Sequence, residues 1–257
     1  MQMTEQNLSC DFATTCWEKD WRLLLLDPDY LRVRQIGNHR FPFSDRLLVI
    51  NNVLDLTAVR KAADRLVSEG VLTRYIVAEE IAEEVLSFFE LQRSDFRMGA
   101  DAKDYVGVNP DWIYYNAIGP LSAIYAGISD YLLYHTGDVR LDVPVRWIER
   151  TMQVMERQEK IKVANLVWNE NYKEAKKESY RKSWNFFFAR QGFSDQQFLV
   201  KRSVFRQPIY GEIRADSGHF PRGDVFEKRV FSFLKNHNFE RMIFRRGSCL
   251  LYTSRCV

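Results

Sequence analysis

The order of apolar segments early in the chain places the strongest constraint on the fold. "RLLVINNV" (46–53) and "TRYIVAEE" (73–80) are short apolar runs rich in β-branched and aromatic residues, so each is a predicted strand. Residues 55–70 between them repeat apolar side chains on one helical face and end at a glycine, and 81–91 form a second amphipathic pattern. This strand–helix–strand–helix order predicts an α/β protein with a mostly parallel central sheet flanked by helices.

Polar residues follow both of these predicted strands. Asn51 and Asn52 end the first, and Glu79 and Glu80 end the second. Right-handed crossovers bring the carboxyl ends of parallel strands to one edge of the sheet, where ligands bind. We therefore expect these side chains near a common edge. Simpler interpretations remain open: the asparagines are also typical of a turn, and glutamates favour the first turn of a helix.

The remaining chain continues the alternation less regularly. Residues 1–42 are predicted to be an irregular lead-in. Further predicted elements are a helix over 112–128 that Gly119-Pro120 should kink or break, a strand over 130–135, a helix over 144–157 starting at a proline, a strand over 160–169, strand-like runs within 185–205, and a helix over 223–237.

Composition excludes several classes of protein. With 46% apolar and 28% charged residues, the 257-residue chain has the balance of a globular protein of one large domain. The net charge of +3 does not by itself indicate a nucleic-acid partner. The sequence shows neither a run of about 18 apolar residues nor the pattern of a secretory signal, which predicts a cytoplasmic protein without a transmembrane segment.

The four cysteines lie near the two ends of the chain, at Cys10, Cys16, Cys249 and Cys256, and their spacing fits no metal-binding signature. Reduced thiols are the expectation for a cytoplasmic protein, and a disulfide joining the termini is the alternative.

The stretch "YLLYHTGDVRL" (131–141) is the most informative local feature. A buried-strand pattern stops at Thr136-Gly137-Asp138 and then resumes. No P-loop, dinucleotide-binding glycine pattern, nucleophile elbow or metalloprotease motif occurs anywhere in the chain. Asp138 is either a turn residue or a carboxylate that the strand delivers to a site at the edge of the sheet.

The strand order and this stretch resemble the GT-A glycosyltransferases, especially the family-2-like branch. In that family the middle strand ends in an Asp-x-Asp motif, and here Thr136 replaces the first acid while Asp138 matches the last. The resemblance implies a glycosyltransferase that uses a nucleotide-activated sugar, a UDP-sugar being the expected donor. It implies nucleotide contacts at Asn51, Asn52, Glu79 and Asp138.

The resemblance also implies a divalent metal and a catalytic base. Asp138 would hold Mn²⁺ or Mg²⁺ on the diphosphate, with His219 of "SGHFP" as a late ligand, although Thr136 leaves the metal motif incomplete. Asp195 in "GFSDQQF" and Glu227 near the start of the last predicted helix are rival bases. The whole chain, 1–257, would form one GT-A-like domain, with a nucleotide-sugar-binding half at 45–170 and an acceptor-binding half at 171–257.

Two other functions remain open from the sequence. The incomplete motif is also consistent with a non-catalytic carbohydrate- or nucleotide-binding protein on the same fold. A nucleotidyltransferase has a similar sheet, but the glycine-rich basic loop expected after its first strand is missing from "NNVLDLTAVRK". The acceptor of a glycosyltransferase would be a glycan, a small molecule or a nucleic acid.

Overall fold

A computed structural model describes residues 8–27, 29–96, 111–190, 192–214 and 225–251. The strands it contains are β1 Cys10–Cys16, β2 Arg46–Ile50, β3 Arg74–Val77, β4 Tyr131–Thr136, β5 Val139–Arg140, β6 Ile161–Trp168, β7 Arg181–Lys182, β8 Phe186–Ala189, β9 Gln197–Lys201 and β10 Glu240–Leu251.

All of these strands belong to one sheet, in the order β3-β2-β1-β4-β9-β6-β10-β8-β7. The first four lie side by side in parallel. Strand β9 runs antiparallel to its neighbours β4 and β6, so β6 and β10 regain the direction of β4. Strand β5 pairs with the end of β10. The predicted mostly parallel sheet is confirmed.

The prediction of an irregular lead-in over 1–42 is wrong, because β1 lies inside the sheet between β2 and β4. Its polar residues hide the strand pattern in the sequence. Asp11 is buried, and its carboxylate accepts hydrogen bonds from the backbone N–H groups of Ile128 and Ser129 and from the Ser129 hydroxyl. A buried polar group is tolerated when it is bonded in this way.

Helices cover both faces of the sheet. They are α1 Trp21–Leu26, α2 Leu56–Ser68, α3 Ala78–Phe88, α4 Trp112–Ala126, α5 Ile148–Arg157, α6 Tyr172–Glu178, α7 Arg202–Phe205 and α8 Phe226–Asn236, with a π-helical segment at Tyr30–Ile36. Helices α1, α2 and α5 pack with one apolar core, whereas α3, α4 and α8 pack with a second. The result is a three-layer α/β/α arrangement.

Two predicted helices differ from the structure. Helix α4 is not broken at Pro120, because the residues around the proline are buried in the second core and their packing offsets the cost of about 3 kcal/mol of an internal proline. Helix α5 begins at Ile148 rather than at residue 144. The backbone N–H of Val145 donates instead to the carbonyl of Asn38, at 2.7 Å, which holds this segment outside the helix.

Cys10, Cys16 and Cys249 are buried and carry free thiols, and Cys256 lies outside the described residues. No helix in the described parts of the chain combines the length and apolar character that crossing a membrane requires.

Candidate active site

The carboxyl ends of β1, β2, β3 and β4 meet at one edge of the sheet because these strands are parallel. Strand β9 runs the other way, so the residues that precede it reach the same edge. The backbone N–H of Thr136 donates to the carbonyl of Gln196 at 2.8 Å, and His135 pairs with Gln197 in the sheet. The segment that contains Asp195 therefore lies beside the end of β4. We call this the carboxyl edge.

Asp138 occupies the turn between β4 and β5 at this edge and is half-buried. The Thr136 hydroxyl donates a hydrogen bond of 2.5 Å to Asp138 Oδ1. Burial raises the pKa of Asp138, and the bond from Thr136 opposes that rise. The Thr136 hydroxyl thus orients the carboxylate of Asp138.

Asp20 is a second carboxylate at the edge, in the turn after β1. Its Oδ1 accepts a bond of 2.6 Å from the backbone N–H of Trp17. A Cβ added to Gly137 would come 2.6 Å from Asp20 Oδ2 and 2.9 Å from the carbonyl oxygen of Thr15. Only glycine at 137 leaves room for this approach, because such contacts are shorter than van der Waals packing allows.

Asp195 is the third carboxylate of the group, and it is half-buried. Burial raises the pKa of Asp20 to about 7, and the nearby charge of Asp138 adds to the rise. Burial also raises the pKa of Asp195, and the charge of Asp138 adds to that rise. Like charges held close in a partly dry site disfavour ionisation in this way. The three residues Asp20, Asp138 and Asp195 are called the carboxylate group below.

The carboxylate group offers the oxygen ligands that divalent cations prefer, but its residues alone do not complete a coordination shell. Within the described ranges, no three His, Cys, Asp or Glu residues are close enough to hold a metal ion together. Mg²⁺ and related hard cations prefer oxygen ligands and commonly bind through one or two carboxylates plus substrate phosphates. The residues present fit that mode, in which the phosphates of a ligand complete the shell.

Asn51 and Asn52 lie at the carboxyl edge as predicted, but their environments differ. Asn51 is fully buried, and its Nδ2 donates to the carbonyl of Tyr115 at 2.7 Å, which ties the end of β2 to α4. Asn52 is exposed with φ of 50°, a left-handed turn conformation that asparagine tolerates well. Of the two, Asn52 presents its side chain to solvent.

Glu79 and Glu80 fall in the first turn of α3 rather than at the end of a strand, since β3 stops at Val77. Glu79 is exposed and accepts a long bond of 3.4 Å from the Tyr114 hydroxyl. Glu80 pairs with Arg60. Glu79 is therefore the glutamate that faces the aromatic end of α4.

Glu227 lies in the first turn of α8. Its neighbour Phe226 packs against Phe193, with ring centroids 5.7 Å apart, and Phe193 is two residues before Asp195. Among the described contacts, none joins Glu227 to the carboxylate group. His219 lies outside the described residues.

Asp20 is the site residue that the sequence did not reveal. The run "FATTC" before it contains aromatic and β-branched residues with strand propensity, which is the one signal for β1. Thr15 within that run contacts the Tyr134 hydroxyl at 2.6 Å, next to Gly137. The closeness of Asp20 to Asp138 is a tertiary relation between residues over a hundred positions apart.

Comparison with known proteins gives no match to any family model and no match to a curated sequence. Solved structures do match. GalNAc-T7 with UDP, GalNAc and Mn²⁺ aligns over 96% of this chain and 44% of its own, at 9% identity and a TM-score of 0.55. A mannosyltransferase from Pyrobaculum calidifontis in complex with GDP-Man and Mn²⁺ aligns over 96% of this chain and 57% of its own, at 10% identity and a TM-score of 0.54.

This chain thus spans about half the length of these two structures. Identities this low establish shared architecture and leave the reaction open. The architecture, a sheet of mostly parallel strands flanked by helices, is the GT-A-like fold that nucleotide-sugar enzymes use.

Proposed function

We propose that this chain is a glycosyltransferase that moves a sugar from a nucleotide-activated donor to an acceptor hydroxyl. The main support is the carboxylate group, which gathers Asp20, Asp138 and Asp195 at the ligand-binding edge of a GT-A-like sheet. The charge of Asp138 raises the pKa of both Asp20 and Asp195, and a bound cation would relieve this repulsion. A diphosphate can bind at this edge only together with such a cation, because the carboxylates alone would repel the diphosphate.

In this proposal Asp138 holds Mn²⁺ or Mg²⁺, which when bound neutralises the charge of the departing diphosphate. Thr136 fixes the rotamer of Asp138 through its hydroxyl. Asp20, anchored on the Trp17 N–H, is close enough to Asp138 for its pKa to respond to that charge, and a cation at Asp138 would favour its ionised form. His219 is the further ligand that the family resemblance implies.

Asp195 is the proposed base. A carboxylate with a raised pKa is a stronger proton acceptor near neutral pH. In an inverting transfer, Asp195 takes the proton of the acceptor hydroxyl as the oxygen bonds to the anomeric carbon and the bond to the diphosphate breaks. Glu227 is the rival base.

The donor nucleotide lies across the ends of β2 and β3. The exposed side chains of Asn52 and Glu79 face that surface, whereas buried Asn51 supports it by holding α4. A UDP-sugar remains the expected donor. The two neighbours carry UDP and GDP-Man, so the test must include both nucleotides. The acceptor, a glycan, a small molecule or a nucleic acid, is assigned to the half at 171–257.

The test is a panel of melting temperatures. UDP, GDP and CMP and their sugars are added singly, with and without Mn²⁺, to wild type and to Asp138→Asn. A ligand of the native state raises the melting temperature by mass action. Asp142→Asn is a matched control, because Asp142 is an exposed carboxylate four residues away that pairs with Arg140.

One nucleotide should raise the melting temperature of wild type and of Asp142→Asn in the presence of Mn²⁺, and this rise should vanish in Asp138→Asn. For the nucleotide that raises the melting temperature, the rate of sugar transfer or hydrolysis from its sugar conjugate then distinguishes an enzyme from a binding protein. Binding without any sugar transfer or hydrolysis would favour a non-catalytic protein on this fold, and no shift with any nucleotide would contradict the proposal.

A further inference from the structure

A second surface, formed by residues other than the carboxylate group, has the features of a binding site. Trp184 lies in the tight turn between β7 and β8, where the Ser183 N–H donates to the carbonyl of Phe186 at 2.8 Å. Its side chain is 75% exposed, and the guanidinium of Arg246 lies 4.4 Å above its ring. The exposed ring and the cation above it are therefore available to contact a partner.

The surroundings of Trp184 are strongly cationic. Residues 170–190 together with 245–246 contain eight lysines and arginines against three glutamates, a net charge of +5, whereas the whole chain carries +3. Most of the lysines and arginines are exposed on α6, on β7 and at the end of the β8 strand. Residues 170–190 and 245–246 are called the basic hairpin surface. The rest of the chain is therefore slightly acidic, and the positive charge is concentrated here.

The basic hairpin surface is on the same side of the molecule as the carboxylate group. Strand β10 runs parallel to β6 and in the direction of β4, and Phe244 pairs with Phe186. The turn that holds Trp184 precedes Phe186 on an antiparallel strand, so it projects beyond Phe244 toward the carboxyl edge. Further along β10, Leu250 pairs with Arg140, two residues after Asp138.

We propose that the basic hairpin surface binds an anionic lipid bilayer, with Trp184 in the headgroup layer and the surrounding lysines and arginines against the lipid phosphates. Tryptophan is enriched at membrane–water interfaces, and clustered basic residues are attracted to anionic lipids. One part of this inference rests on the proposed function: a glycosyltransferase bound in this way would act on an acceptor held at the membrane surface.

The geometry favours a bilayer over a nucleic acid as the partner. Single-stranded nucleic acids bind along grooves in which successive aromatic faces stack on successive bases. Here Trp184 projects from a turn with Arg246 over one face of its ring, and Arg190 lies over the ring of the exposed Tyr180. Among the described ring contacts, none aligns Trp184 with Tyr180 or with the exposed Tyr172 as a stacking row. A projecting apolar tip surrounded by cations is complementary to a flat anionic surface.

The test is flotation of the whole chain, without nucleotide, on vesicles of phosphatidylcholine alone and on vesicles of phosphatidylcholine with phosphatidylglycerol. Two variants remove the proposed contacts: Trp184→Ser, and the pair Lys176→Glu and Lys177→Glu on α6. Ile128→Ser is the control for the tryptophan, because Ile128 is 68% exposed at the opposite end of β4. Lys61→Glu on α2 is the control for charge. Circular dichroism melts establish that each variant is folded.

We expect binding only to the anionic vesicles, weaker by about fivefold in Trp184→Ser and by about tenfold or more in the lysine pair, and unchanged in both controls. Absence of binding to anionic vesicles, or equal binding by all five proteins, would overturn the inference. Fluorescence anisotropy of a labelled single-stranded oligonucleotide tests the alternative partner. Binding to the oligonucleotide without binding to vesicles would assign the surface to a nucleic acid instead. Neither result bears on nucleotide-sugar binding, which the melting panel tests separately.

Discussion

Gly137 and Asp20 are in such close contact that a single methyl group at position 137 would lie 2.6 Å from the Asp20 carboxylate. The contact joins the turn after β1 to the turn after β4 and so sets the spacing of Asp20 and Asp138. A glycine in the middle of "HTGDV" is thus explained by packing against a carboxylate that is remote in the sequence.

Gly137→Ala should disrupt the carboxylate group. The new Cβ would clash with Asp20 and with the backbone carbonyl of Thr15, and overpacking of this kind costs about 1–3 kcal/mol. Urea denaturation and nucleotide binding measure the two effects. Gly211→Ala is the control, since a Cβ there meets no atom within 4 Å, and equal behaviour of the two variants would refute the assigned contact.

Thr136→Val should shift the pH profile of sugar transfer. The variant removes the hydroxyl that donates to Asp138, a bond that lowers the pKa of Asp138. The pKa therefore rises, and the acidic limb of the profile moves to higher pH. Thr136→Ser keeps a donor and should retain the wild-type limb. If the valine and serine variants share one profile, the hydroxyl has no role in holding Asp138 ionised.

Asp20 should destabilise the fold as pH rises. Its pKa is raised from 3.8 to about 7 in the folded chain, so between these values the folded state holds a proton that the unfolded state has lost. Stability contributed by this proton is present below about pH 4 and is lost as pH rises through about 7. Asp20→Asn should then be more stable than wild type at pH 8, by about 4 kcal/mol, while transfer activity falls.

Urea denaturation of both proteins from pH 4 to pH 8 measures this difference. Asp142→Asn serves again as the control, because Asp142 is exposed and outside the carboxylate group. A stability difference between Asp20→Asn and wild type that does not change with pH would contradict the raised pKa.

His39 should make the fold sensitive to acid. It is fully buried, its Nδ1 accepts a bond of 2.9 Å from Trp147 Nε1, and burial lowers its pKa from 6.5 to about 3. Between these values only the unfolded state binds the proton, so stability falls as pH drops below about 6.5, by about 1.4 kcal/mol per pH unit. Burial also lowers the pKa of His135, whose ring lies 5.0 Å from that of His39, and this adds to the effect.

His39→Gln keeps an acceptor for Trp147 and should reduce the slope of stability against pH between about 4 and 6.5. His237→Gln is the control, because His237 is exposed on the surface and paired with Glu212. Slopes are compared rather than absolute stabilities, since the glutamine also changes packing. Identical slopes in wild type and His39→Gln would rule out the buried histidine as the cause.

The sequence predicted those parts of the fold whose patterns are local. Strands β2 and β4 and helices α2, α3 and α8 follow from apolar runs and helical periodicity, because each pattern is formed by residues close together in the chain. Strand β1 was missed since Asp11 and Thr15 interrupt its apolar pattern, and their hydrogen-bond partners come from distant segments.

The candidate site was predictable to a similar extent. Asp138 and Asp195 were candidates from the sequence, and the structure places them close together, since the charge of Asp138 raises the pKa of Asp195. Asp20 was not among the candidates, because it follows strand β1, which the sequence analysis missed. The burial of Asn51 could not be foreseen either, since its partner is the backbone of Tyr115 on a helix 64 residues away.

The most direct test of the central claim is the Mn²⁺-dependent release of nucleoside diphosphate from a donor sugar by wild type and by Asp138→Asn. Asp142→Asn is measured alongside. The account predicts turnover in wild type and in Asp142→Asn that requires the metal, and a loss of at least about a hundredfold in Asp138→Asn, the scale expected when one electrostatic contact to the transition state is removed. Full turnover by Asp138→Asn would contradict the assignment of this edge as the active site.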